Sequence, residues 1–131
     1  MKKSNNKIYE ILSFLSIGIV CGSLTGLIFV IIQKLLTFDS VLTLPEFFIL
    51  LLSPIIASLL IFKLFNNSLI KNCLISFFTL IIPILGTSFG SGDYSFLNQL
   101  GIFSFIGGIG GLFWSVPISL TILFKKKKIN N

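Results

Sequence analysis

The side chains able to carry proton transfer, nucleophilic attack or metal binding are few: Asp39, Asp93, Glu10, Glu46, Cys21 and Cys73, with no histidine in 131 residues. Two carboxylates that share a proton can activate water, and Asp39 and Asp93 are the only aspartates for that chemistry. Asp93 closes the run Gly90-Ser91-Gly92-Asp93, which a solvated Gly-Asp turn also explains. Two thiols and no imidazole fall short of a zinc or transition-metal ligand set. No metal and no cofactor are therefore expected. Without histidine, general acid–base catalysis loses its commonest agent. The sequence holds no Ser/His or Cys/His pair and no phosphate-binding glycine loop. The chain reads as a protein that is not an enzyme.

Gly90–Asp93 resembles the G-x-G-D pattern of intramembrane aspartyl proteases. That resemblance implies a dyad of Asp93 with Asp39, both on one side of the membrane. Against it, Asp93 falls in a loop rather than inside an apolar span. Transporters coupled to protons or ions place an ionisable group at mid-membrane, where it is costly and kept for function. No span here carries one at its centre; Glu10 and Lys71 lie nearest, both close to one face. Small multidrug transporters and fluoride channels are four-span chains of about this length. The chain lacks the mid-span glutamate of the former and, having no arginine, the arginine of the latter.

The elements that must position these residues are apolar. The chain is 54% hydrophobic and 11% charged, with a mean hydropathy of +1.03. A soluble domain carries about 25% charged residues. Four long apolar stretches are expected as membrane helices, over about 11–32, 45–62, 69–85 and 100–124, since ~20 apolar residues cross ~30 Å of hydrocarbon. The first continues to Ile32, beyond a 7–15-residue signal-peptide core, so it is expected to stay as a span. Pro54 permits a kink in the second. Thr43-Leu44-Pro45-Glu46 reads as a capped start to that helix. Cys21 lies midway along the first span and Cys73 near one end of the third. The different depths argue against a disulfide.

All ten basic residues are lysines. Lys2, Lys3, Lys7, Lys63, Lys71, Lys125, Lys126, Lys127 and Lys128 fall on one side of the four spans, and only Lys34 on the other. Cytoplasmic loops are rich in Lys and Arg. The expected fold is all-α: a single polytopic domain, residues 1–131, of four transmembrane helices with both termini in the cytoplasm. A bacterial-type inner membrane fits the lysine bias. The net charge of +6 serves topology and the lipid bilayer, so no nucleic-acid partner is expected. The run Lys125–Lys128 would hold the C-terminus on anionic lipid at ~1 kcal/mol per lysine.

Gly18, Gly22 and Gly26 recur every four residues and share a face of the first span. Gly107 and Gly111, continued by Ser115 and Ser119, do the same in the fourth. Such faces let helices approach closely. They predict that the first and last spans make the tight contacts, while the second and third face mostly lipid. The first functional reading is a non-catalytic subunit, assembly factor or scaffold, with other membrane subunits or itself as partner. The alternative is a homo-oligomeric channel or transporter for a small solute, a holin-like pore included, with the glycine faces lining the path. The aspartyl protease stands third.

Overall fold

The computed structural model describes residues 2–36, 43–85 and 95–129, with side chains described over 8–36, 43–82, 84–85 and 95–121. Helix α1 runs Lys2–Leu36, α2 Leu44–Leu50, α3 Ser53–Phe65, α4 Leu69–Thr79 and α5 Phe96–Ile129. A π-helical turn, Leu80–Ile84, continues α4. No strand occurs among the described residues. Three apolar stretches are long enough to cross a membrane: Ile8–Leu36, Leu44–Phe65 (α2 and α3 together) and Phe96–Thr121. The fourth, Leu69–Ile82, is shorter. Counted through the π turn to Leu85, the helix reaches about 25 Å at 1.5 Å per residue, against ~30 Å of hydrocarbon.

With the π turn the helix covers the expected 69–85, and each of its ends has a cause. Asn66 takes a left-handed conformation, φ 48°, and its N–H closes α3 on the Phe62 carbonyl at 2.9 Å. Asparagine tolerates this better than most residues. Helix α4 therefore starts only after the Asn66–Ser68 turn. At its far end Pro83 has no N–H for the α ladder. The backbone widens there into the π turn, in which the Leu85 N–H reaches back to Leu80 O.

Pro54 interrupts the second stretch in the same way. A proline cannot bond the carbonyl four residues earlier, here that of Leu50. Leu51 and Leu52 keep helical angles, φ −65° and −74°. The Leu52 N–H tightens onto Ile49 O at 3.0 Å, and the Ile56 N–H then resumes the ladder on Leu52 O at 3.0 Å. The break thus falls at Leu51–Leu52, just ahead of the proline. At the start of α2, the Glu46 carboxylate accepts from the Thr43 N–H and the Thr43 hydroxyl, both at 2.7 Å. Glu46 is held by its own helix start.

The four helical stretches pack up-down-up-down. Gly18 faces Ser115 and Gly26 faces Phe103, so α1 and α5 are antiparallel. Cys21 meets Ser76, and Phe29 joins Leu80 and Ile84, so α1 and α4 run parallel. Ser58 meets Cys73 across the α3–α4 hairpin. The start of α1, the Asn66–Ser68 turn and the end of α5 therefore share one end of the bundle. The nine lysines that the sequence groups together belong to that end. The apolar core lies toward the other: Phe29, Val30, Leu50, Leu80, Ile84 and Phe103, with the Phe29 and Phe103 rings stacked at 5.9 Å. Around the bundle, side chains such as Leu64, Ile70, Leu97 and Phe105 are exposed, Phe105 at 71%. Such a surface is consistent with a membrane-embedded protein. In lipid no hydrophobic force draws helices together, so close packing and interhelical bonds must hold them.

Candidate functional site

The closest packing is between α1 and α5. A side chain at Gly22 would strike the Gly107 carbonyl, one at Gly107 the Gly22 carbonyl, and one at Gly111 the Gly18 carbonyl. One at Gly26 would strike the Phe103 carbonyl. At Gly18 a Cβ would stand 2.6 Å from Ser115 Cβ. The two glycine faces meet each other, backbone against backbone, within one chain. Ser115 and Ser119 extend the line on α5, and their hydroxyls donate to Leu112 O and Val116 O of their own helix at 2.7 Å. They leave no polar demand on α1.

A groove of about 420 Å³ opens beside this seam on the outer surface. Ile19 and Ser23 of α1 form one wall; Gly101, Ser104, Gly108 and Leu112 of α5 form the other. A Cβ at Gly108 would meet Ser23 Oγ at 2.7 Å, whereas one at Gly101 would meet nothing within 4 Å. No family model, curated protein or solved structure matches the chain.

A second feature, unforeseen in the sequence, lies between α1, α3 and α4. The second span does face mostly outward, as expected, while the third is more covered; each also turns a face with small and polar residues inward. Helix α3 buries Ser53, Ala57 and Ser58 beside Pro54 and Ile61, and α4 buries Asn72, Ser76 and Thr79 beside Ile75. Across this polar seam Cys21 Sγ lies 3.0 Å from Ser76 Oγ, and Ser58 Oγ lies 3.0 Å from Cys73 Sγ. Asn72 Nδ2 donates to Asn67 Oδ1 at 2.9 Å. The signal was present as Asn72-x-x-x-Ser76-x-x-Thr79, which repeats at helical spacing.

The cysteine depths also need correction. Cys21 sits level with residues 72–76, beside Cys73 in height, because α4 begins deep against α1 rather than level with its first residue. Both thiols are free and turn to different partners.

Toward the lysine-rich end Tyr9, Glu10, Ser13, Phe14 and Ile17 line an open hollow of about 450 Å³. Lys71 Nζ lies 5.9 Å from the centroid of the Phe14 ring, a cation–π distance. Trp114 is half-buried and stacks on Phe78, centroids 4.7 Å apart. No three His, Cys, Asp or Glu side chains converge among the described residues. Asp39 and Asp93 lie outside the described residues, as do the side chains of Lys125, Lys126, Lys127 and Lys128.

Proposed function

We propose that this chain is a four-crossing integral membrane protein with both termini in the cytoplasm, and that it serves without catalysis as a subunit, assembly factor or scaffold of a membrane complex. A bacterial-type inner membrane is the proposed site. Three spans of sufficient length support the membrane placement. The gathering of nine lysines at one end of the bundle supports the orientation. Helix α4 makes the fourth crossing in this reading. It is short, but a bilayer thins locally and Lys71 can extend toward the headgroups to meet such a helix.

The observation that carries the role is how the small residues are used. Gly18, Gly22, Gly26, Gly107 and Gly111 are engaged with the opposite helix of the same chain. A channel walled by these glycines would need them open, so the fold favours the subunit reading over the pore. The neighbouring groove at Ser23, Gly101, Ser104 and Gly108 is left uncovered. Small residues there offer one apolar transmembrane helix of another protein the close approach on which association in lipid depends.

The test is the native mass of the protein extracted in mild detergent, with co-purifying chains identified. Gly101→Phe is the companion variant, because that position has open space and the fold should accept the ring. The expected result is a stoichiometric foreign membrane partner that Gly101→Phe displaces while helicity stays unchanged. A homo-oligomer without foreign chains, passing a small solute in liposomes, would replace the subunit reading with the channel.

A further inference from the structure

The polar seam holds an unusual set of atoms for a membrane interior. Serine and threonine in apolar helices ordinarily donate to the carbonyl three or four residues back. Ser16, Thr25, Ser58, Ser115, Ser119 and Thr121 all do so. Ser53 and Thr79 do not. Both residues are fully buried, and Ser53 Oγ and Thr79 Oγ1 have no hydrogen-bond partner. Asn72 Oδ1 and Asn67 Nδ2, nearer the lysine-rich end, are buried and unpartnered too. Where no lipid headgroup or water reaches, such groups are strongly disfavoured.

Their placement is ordered. From the Ser58–Cys73 contact, Ser53 lies five residues along α3 and Thr79 six along α4, in the same direction. At 1.5 Å per residue these are about 7.5 and 9 Å, so the two hydroxyls stand nearly level. Each also adjoins a break in its helix: Leu51–Leu52 precedes Ser53, and the π turn begins at Leu80. The asparagine pair marks one end of the seam, the thiol–hydroxyl contacts its middle and the helix breaks its inner end. Beyond the breaks the Phe29, Leu50, Leu80, Ile84 and Phe103 cluster closes the way with apolar side chains.

We infer that this seam is a water-binding cleft, open to the lysine-rich end through Asn67 and Asn72 and blind at Ser53 and Thr79. Water matches the chemistry of the unpartnered atoms: an amide donor, an amide acceptor and two hydroxyls that can do either. The seam residues are neutral, so an ion would enter without a counter-charge. Helices α3 and α4 fit closely, so water enters as they part slightly, and the two backbone breaks supply the freedom to do so. The cleft is separate from the α1–α5 groove and does not depend on which partner fills that groove.

The native thiols report on it. In sealed vesicles of known orientation, a small charged methanethiosulfonate is applied from each side and modification is located by peptide mass. Leu60→Cys provides a lipid-facing thiol at similar depth, since Leu60 is exposed on α3. Applied from the lysine-rich side, the reagent should modify Cys73 and Cys21 at least about tenfold faster than the Leu60→Cys thiol, because the reactive thiolate requires water. From the opposite side it should do no better than that control. Ser53→Ala combined with Thr79→Val should lower the melting temperature, by removing water-mediated bonds. Thiols no more reactive than the control, or a double variant that melts higher, would show a dry seam and overturn the inference. Equal modification from both faces would overturn the blind end.

Discussion

Alanine at Gly22 adds a single methyl group to the α1–α5 seam. The added carbon would collide with the Gly107 carbonyl oxygen and lie 2.9 Å from both the Gly107 carbonyl carbon and Gly111 Cα. All three obstacles are backbone, so no side chain can rotate aside and the helices must part. Ordinary contact begins at 3.4 Å. The carbonyl oxygen is the nearest of the three and sets the separation, so a gap of about 1 Å or more opens along the seam, forfeiting roughly half of the dispersion well there. Overpacking a tight interior costs about 1–3 kcal/mol, and a rigid backbone obstacle belongs at the upper end. About 3 kcal/mol is a roughly hundredfold change in the folded ratio. Gly101→Ala is the matched control. Its Cβ meets nothing, and alanine exceeds glycine in helix preference by about 0.5–1 kcal/mol. Both variants lose the same glycine freedom in the unfolded chain, so that term cancels. Reversible unfolding in mixed micelles of mild and denaturing detergent, followed by helicity, should separate the two by about 3 kcal/mol. Equal stability of the two variants would refute the backbone contact between α1 and α5.

Pro54→Ala supplies an N–H for the Leu50 carbonyl, and one added bond worth about 1 kcal/mol should slow amide exchange over residues 51–56 roughly fivefold; unchanged exchange would mean that the proline does not cause the break. Asn72→Leu removes the bond to Asn67 and one unpartnered atom together, so the micelle titration should register a loss of only about 0.6–1.7 kcal/mol, typical of interhelical bonds in lipid. Replacing Lys125, Lys126, Lys127 and Lys128 with glutamine leaves five lysines against one across the spans. A reporter enzyme fused after Asn131 and active only outside the cytoplasm should then stay silent, because the remaining bias still holds the orientation; activity would show that the tail alone sets it.

The helical character and the three long spans were legible because runs of twenty apolar residues admit few other structures. The four-residue spacing of Gly18, Gly22 and Gly26 places them on one face, but spacing cannot say what that face meets; only the antiparallel register with Gly111, Gly107 and Phe103 does. The polar seam was hidden for a chemical reason. A serine in an apolar helix can satisfy itself locally, as Ser115 and Ser119 do, so Ser53 and Ser76 look no different in sequence. In the sequence the height of Cys21 or Cys73 reads only from the start of its own span, which sets the two apart. The relative height of two helices depends on where the connecting turn sits, and the Asn66 turn sets α4 deep against α1. The break at Leu51–Leu52 was displaced from Pro54 because a proline disturbs the turn before it.

The fit between α1 and α5 joins two helices that are made well apart in time. Roughly 80 residues separate Gly26 from Phe103, so at ~5–20 residues per second the early helix waits about 4–16 s for its mate. During that interval its bare backbone face stands in the bilayer beside whatever other small-residue helices are passing. Closure then draws α1 and α5 together around the middle hairpin, so a chain truncated before α5 would leave α1 permanently unmated.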